Sequence, residues 1–318
     1  MSTNPYKAFV PYLVTPGEPA TAIEDHEVTD PTAGDWRRVG LCEPIKGEGF
    51  IVDLQGAGKL MAVQFNERIL PGKVRDEQVA KEVAKVEKRD GRKISKKEFA
   101  QLREQVEFDL LPKAFIRRTV VPVIFVAHYL LICTSSQKRA DDVIGLLLGV
   151  FGEELDPWRV STKAETGAGL KTLAIDGFLF DEEEEVERPF YPTDSIVLKG
   201  TDKKVIRVKD KLLGEQDIRE MISLAEYAVT EMGVQYGVDE NEPDLSCVVT
   251  DQLIFKRLTI PDVKMTPVKE DFYAFAVLCA QTYRKMLRDF IAAFGEVTYE
   301  AAGKPASSAS TTDEDDEL

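Results

Sequence analysis

The sequence predicts an α+β fold: mixed or antiparallel sheets with packed helices and a protruding basic helical hairpin. Three observations predict it. Apolar runs come in pairs joined by short turns, at 49–66, 119–134 and 245–260. Between 72 and 110 the apolar period changes to that of a helix, in two stretches separated by a Gly-containing turn. Apolar residues make up 43% of the 318, ample for one large core or two modest ones.

Residues 15–45 carry Pro16, Pro19, Pro31, Pro44, Gly17, Gly34 and Gly40, and should be loop with at most short strands. Gly49-Phe-Ile-Val-Asp-Leu-Gln and Lys59-Leu-Met-Ala-Val-Gln-Phe-Asn read as two strands, with Gly56-Ala-Gly58 as a hairpin turn. Val79, Val83 and Val86 then share one helix face. Lys81, Lys85, Lys88 and Arg92 recur on the other side, and Gly91 is the stop. Ser95-Lys-Lys-Glu98 is a capping box, the hydroxyl accepting from the amide three residues on and the Glu reaching back. Phe99, Leu102, Val106 and Leu110 form a second stripe, closed by Pro112. Joined by Arg89-Asp-Gly-Arg-Lys-Ile, the two helices make an antiparallel hairpin.

Beyond it, 119–134 reads as two adjacent buried strands. A helix over 138–151 carries Val143, Ile144, Leu147 and Val150 on one side. Strands are expected at 171–180, 195–199 and 205–209, with the charge run at 181–187 as a solvated loop. Residues 214–233 read as one amphipathic helix bearing Ile218, Ile222, Leu224, Ala225 and Val229. The strands at 245–250 and 253–260 flank Asp251-Gln252 as a hairpin, and a long helix runs from about 269 to 294. Two strands followed by a helix thus occur twice, each helix ending in Phe-Gly-Glu, which leaves an internal duplication open. Residues 301–318 are small and polar and end in Asp313-Glu-Asp-Asp-Glu-Leu, so disorder is expected there. The domains expected are a sheet-and-helix unit at 1–72 plus 119–165, the hairpin at 73–118, an α+β unit at 166–300 and the acidic tail at 301–318.

Little in the chain suggests catalysis. The two histidines are His26 and His128, and His128, inside an apolar run, reads as satisfied and partly buried. Neither a His-rich metal site nor a proton relay is expected. Cys42, Cys133, Cys247 and Cys279 are scattered without a C-x-x-C pair, which suits a reducing cytosol and argues against structural zinc. Thr166-Gly-Ala-Gly-Leu-Lys-Thr imitates a P-loop, but Leu170 separates Gly169 from Lys171; Gly56-Ala-Gly58-Lys59 fails likewise. No enzyme, metal or cofactor is expected. The start lacks a basic segment followed by an apolar run, and the most apolar stretch, 119–133, is shorter than the ~20 residues of a spanning helix. A soluble cytoplasmic protein with no membrane partner is the expectation.

Charge is more informative. Forty-one Lys and Arg against 56 Asp and Glu leave −15, which excludes a generally basic coat protein. It does not exclude a local basic surface, because the Debye length is roughly 8 Å at physiological salt. Residues 73–118 hold 14 basic and 9 acidic side chains, a balance of +5, so the rest carries −20. Two readings stay open: polyanion binding, and a solvated helix whose Lys and Glu pair locally, as Glu77 with Lys81. Apart from Phe99 and Phe115 there is little aromatic interleaving, so backbone contact to a duplex fits better than stacking on single strands.

Five segments then resemble a known family. Glu67-Arg-Ile-Leu-Pro71 precedes the hairpin and Asp109-Leu-Leu-Pro-Lys-Ala-Phe-Ile-Arg-Arg118 closes it. Ser136-Gln-Lys-Arg-Ala-Asp-Asp142, Val205-Ile-Arg-Val-Lys209 and Leu253-Ile-Phe-Lys-Arg-Leu258 follow. Together they resemble the RdgC family of bacterial recombination-associated proteins, well over 65–155 and more loosely over 200–295. The resemblance implies a ring-forming homodimer whose basic hole takes double-stranded DNA with little sequence preference. It also implies restraint of RecA-type strand exchange, at replication and recombination intermediates in the nucleoid. Acidic outer surface and basic lumen would then coexist. Carried over by residue, the family's Leu-Pro-[Arg/Lys]-Ala-Phe motif makes Lys113 its basic member and Phe115 the aromatic that closes the ring at the dimer interface. The basic stretch after Val-Ile-Arg falls on Arg207 and Lys209, with Asp210 where a second Lys is expected and Lys211 next. The first 60 residues depart from the family, being Pro/Gly-rich where it has a helix.

The DNA-binding set is therefore Lys81, Lys85, Lys88, Arg89, Arg92, Lys93, Lys113, Arg117, Arg118, Arg207, Lys209 and Lys211. The rivals are a protein–protein adaptor built on the hairpin and acidic tail, and an uncharacterised hydrolase.

Overall fold

The computed structural model describes residues 4–15, 17–160, 163–177, 179–181, 186–209, 216–224, 226–238, 241–261, 263, 269–293 and 299–301. The first strands are β1 (Ala8–Leu13), β2 (Arg37–Cys42), β3 (Val52–Asp53) and β4 (Lys59–Ile69). β3 and β4 form the expected hairpin, although β3 is only two residues long. Gly58 is required at its turn, since a Cβ there would lie 2.2 Å from the Phe125 carbonyl oxygen. β2 emerges from the Pro/Gly-rich stretch as a six-residue strand on β4. Gly40 permits this, because a Cβ would sit 2.6 Å from the Val28 backbone that crosses it.

Next come α1 (Gly72–Asp90), α2 (Lys96–Leu110), β5 (Phe115–Val126), β6 (Tyr129–Ile132) and α3 (Gln137–Phe151). The helical hairpin ends its first helix where expected: Gly91 is left-handed at φ 67° and its N–H donates to the Glu87 carbonyl. Both bonds of the Ser95–Glu98 capping box are present. His128 differs from its expected burial. It lies exposed in the tight turn between β5 and β6.

The second half comprises β7 (Trp158–Val160), α4 (Lys163–Asp176), β8 (Leu179–Asp181), β9 (Val186–Arg188), β10 (Phe190–Gly200) and β11 (Val205–Val208). α5 (Gln216–Ser223), β12 (Tyr227–Tyr236), β13 (Leu245–Thr250), β14 (Phe255–Thr259), α6 (Lys269–Ala293) and β15 (Tyr299–Ala301) complete it. Three expectations differ here. Residues 171–176 are helical, because Leu170, Leu173 and Ala174 recur at helix spacing and are buried on that face, while Gly167 and Gly169 obscure the pattern. The helix expected over 214–233 stops at Ser223. Val229, Met232, Val234 and Tyr236 bury as a strand, β12, which takes its place between β10 and β13. The P-loop look-alike at 166–172 lies inside α4, so its amides are not a phosphate cradle. The charge run at 181–187, expected as a loop, has strands at its ends, Asp181 closing β8 and Val186 and Glu187 opening β9, which pairs with β8; 182–185, Asp210, Lys211 and the tail beyond 301 lie outside the described residues.

Thirteen strands form one sheet, ordered β11-β10-β12-β13-β14-β1-β6-β5-β4-β2, with β3, β7 and β15 alongside. Every strand pairing among the described residues is antiparallel. The two-residue side-chain period divides the core between the sheet faces. Val63, Phe65, Val121, Val123, Leu130 and Ile132 meet Val143, Ile144, Leu147 and Val150 of α3. Leu60, Ile124 and Leu131 point the other way and join the cluster containing Cys279, Tyr283, Leu287 and Phe290 of α6. β1 ties the halves together: Phe9 stacks on Phe255 and Tyr283, at 4.6 and 5.1 Å between ring centroids.

Candidate nucleic-acid interface

α1 displays the expected cations in part. Lys81, Lys85 and Lys88 fall within about 60° of one another around a helix of 3.6 residues per turn, and all are exposed. Arg92 does not join them. It lies beyond the left-handed Gly91 and is drawn onto Glu98 at the start of α2. That carboxyl sits well below its usual range, held there by Arg92 and by the amide and hydroxyl of Ser95. Lys85 pairs with Glu82 at 2.6 Å and Arg89 with Asp90 at 2.7 Å. Lys81, Lys88, Lys93 and Lys113 are exposed and have no carboxylate partner among the described residues. The pair expected between Glu77 and Lys81 does not form.

Arg117 and Arg118 are consecutive on β5 and therefore face opposite sides of the sheet. Arg117 joins Glu67 at 2.7 Å, on the face that carries α3. Arg139 of α3 reaches the same carboxylate at 2.9 Å, and Arg37 grips Asp142 through two bonds of 2.7 and 2.8 Å beside it. Burial pushes the Glu67 carboxyl up, but the Arg117 hydrogen bond and the charges of Arg139, Arg117 and Arg37 outweigh it and leave it low. Arg118 instead grips Asp30 through two bonds, at 2.8 and 3.0 Å. Arg37 and Arg139 were not singled out from the sequence. The signal was available in principle, since Arg37, Glu67 and Arg117 sit in register across three strands, but that register appears only once the strands are paired.

Arg207 and Lys209 lie at or just beyond β11, the opposite edge of the sheet, and both are exposed. Seven strand steps separate β11 from β5, roughly 34 Å along the sheet at the usual strand spacing. The chain thus carries two basic groups, at opposite ends of its sheet. Near the hairpin root, Phe115 is 85% exposed and stands directly opposite Ile69, 40% exposed, on the neighbouring strand. Phe115 is no part of the core.

Between α1 and α2 a groove of about 420 Å³ is lined by Val79, Ala80, Val83, Ala84, Phe99 and Arg103. Among the described residues no three His, Cys, Asp or Glu side chains converge as metal ligands, and no helix is long and apolar enough to cross a membrane. All four cysteines are free thiols.

The sequence model of the family described as "Putative exonuclease, RdgC" matches residues 4–297. Relatives bearing the name Recombination-associated protein RdgC include that of Pseudomonas putida, 26% identical over 263 residues and 81% of each chain. That of Laribacter hongkongensis is 27% identical over 290 residues, covering 87% of this chain and 91% of its own. The protein from Pseudomonas syringae pv. syringae is 28% identical over 281 residues, 84% of this chain and 86% of its own. The family description names an exonuclease, whereas the relatives' names give a recombination role. With the match running through both halves of the sheet and the whole hairpin, this chain belongs to the RdgC family.

Proposed function

We propose that this chain is a non-catalytic, sequence-nonspecific duplex-DNA-binding protein that works as a homodimer encircling DNA in the nucleoid. There it would restrain strand exchange by a RecA-type recombinase. The observation that carries the reading is the set of exposed cations on and beside the hairpin, Lys81, Lys88, Lys93 and Lys113, unpaired with carboxylates in a chain of net charge −15. Unneutralised cations in an acidic protein repel little else and attract a polyanion, with counterion release supplying the affinity. A closed dimer accounts for the two remote basic groups: with two copies, each end of one sheet can face DNA together with its counterpart. Phe115 and Ile69 supply an apolar contact where the copies meet. The relatives' names place them in recombination and support the same setting.

Titration of a labelled duplex at several salt concentrations tests the reading. If about six phosphates are neutralised, log K should fall against log salt with a slope near −5. Unrelated duplexes should compete equally. No binding at low salt would overturn it in favour of an adaptor, for which the groove beside Phe99, lined also by Asp76 and Glu87, offers a surface. Release of nucleotides from a linear duplex in Mg²⁺ would overturn the non-catalytic part and favour the nuclease description.

A further inference from the structure

Arg68, on β4 at the root of the hairpin, donates to main-chain carbonyls and, among the described residues, to no carboxylate. Its two terminal nitrogens serve two different segments. Nη1 donates to the carbonyls of Leu111, Pro112 and Ala114, at 2.8, 3.1 and 3.4 Å, where the chain leaves α2. Nη2 donates to those of Pro31 and Thr32, at 2.9 and 3.5 Å, in the loop before β2. These carbonyls lie in the turn after α2, where Leu111 already accepts from the Ala114 N–H at 3.1 Å and Arg68 adds a side-chain donor from the sheet.

The loop is itself fastened to the sheet. Asn66, buried two residues before Arg68, donates to the Thr29 carbonyl and the Asp30 carboxylate, both at 3.1 Å. Arg118 grips Asp30 from the neighbouring strand. The hairpin has few other restraints: α1 packs chiefly on α2, and each helix buries one side chain. Nε of Arg68 is buried without a partner, a cost accepted only where the rest of the group is held.

We infer that Arg68 is the positioning residue that sets the angle of the helical hairpin against the sheet, by binding the hairpin's exit to a sheet-anchored loop. A guanidinium suits this role because its donors diverge from one rigid plane and reach both groups of carbonyls. A lysine ammonium on a flexible stem can satisfy one group only. It also explains what joins Glu67-Arg-Ile-Leu-Pro71 to the Leu-Leu-Pro-Lys-Ala segment: the side chain of the first caps the main chain of the second.

Pulsed EPR on the full chain tests the inference. With Cys42→Ser and the other three thiols buried, labels at Lys97→Cys on α2 and Lys138→Cys on α3 report the angle. One narrow distance distribution is expected in the parent, broadened in Arg68→Ala and also in Arg68→Lys, which keeps the charge and serves if Arg68→Ala fails to fold. Unchanged widths in both variants overturn the inference, as does a lower thermal midpoint without broadening. The accompanying change in duplex affinity rests on the DNA reading above: a loss of about tenfold from lost preorganisation, with the salt slope unchanged. Broadening with full affinity would uphold the joint and count against the hairpin as a DNA surface. Lost affinity with a narrow distribution would overturn the joint and make Arg68 a direct phosphate contact.

Discussion

Helices α1 and α3 are held in opposite ways. α3, 15 residues long, buries Ala140, Val143, Ile144, Leu147, Val150 and Phe151 against the sheet. α1, at 19 residues, buries only Val79, and its partner α2 only Val106. Helices of this length are marginal on their own in water, so α1 and α2 depend on each other and on local devices. These are the left-handed Gly91, the capping box, and ion pairs such as Lys85–Glu82 and Arg103–Glu107. The difference teaches where charge can be put. A helix that must cover a sheet has one face left for cations, whereas a hairpin held by its caps can show them on most of its surface.

The largest test of this contrast is in the core. Leu147→Ala should cost about 2–5 kcal/mol, the range for a fully buried leucine. Phe108→Ala on α2, a larger truncation at a side chain 61% exposed, should stay within about 0.5 kcal/mol. Urea midpoints measure both. Equal losses would mean that the hairpin is packed against something in solution and that the contrast is false.

Phe115 lies on a core strand but shares the hairpin's exposure. Phe115→Ala should leave the urea midpoint nearly unchanged while weakening self-association by about 2 kcal/mol, roughly thirtyfold, in sedimentation equilibrium. A lower midpoint with unchanged association would return Phe115 to an ordinary packing role and remove the apolar contact from the proposed dimer.

The same contrast explains what could be read from the sequence. Gly91, Ser95 and Glu98 act within a few residues of themselves, so the two helices were legible to within a residue or two of their ends, although the hairpin's expected limit at 118 overruns into β5, which begins at Phe115. The strands at 119–134 and the α3 stripe were legible because their periods are clean. β12 was not: Ile218, Ile222, Ala225 and Val229 recur at i, i+4, i+7 and i+11, a helical spacing, and only the place of Val229 in a strand between β10 and β13 decides. The candidate site was legible as residue types and not as an arrangement. Arg117 and Arg118 read as one basic step, yet the strand sends them to Glu67 on one face and Asp30 on the other. Arg68 was invisible because its partners are carbonyls, which leave no mark in a sequence.

A smaller effect separates local from global stability. Ser95→Ala removes one bond of the capping box and should cost about 1 kcal/mol of α2. Faster hydrogen exchange in the first turn of α2 should report it, with little change in the melting of the sheet. If the thermal midpoint of the whole chain falls in proportion, hairpin and sheet unfold as one unit and the division drawn between them is too sharp.

The smallest expected effect is a pH dependence that differs between the two regions. Glu67, partly buried among Arg117, Arg139 and Arg37, has its carboxyl held below the ordinary value despite burial pushing it up. A carboxyl depressed in the folded state adds stability that is present above its unfolded value, near 4.3, and is lost as pH falls through the folded one. The parent should therefore be more stable than Glu67→Gln near neutrality, by at most about 1 kcal/mol, since Arg117 is largely exposed and Arg139 partly so. The gap should narrow on acidification below about pH 4. Glu98 in the hairpin is depressed too, by Arg92 and Ser95, but its side chain is part-exposed and these partners lie within the hairpin. Glu98→Gln should leave the urea midpoint flat against pH and alter only the exchange of the first turn of α2. If Glu98→Gln showed the larger pH-dependent gap in global stability, the hairpin would be coupled to the core more tightly than its burial allows.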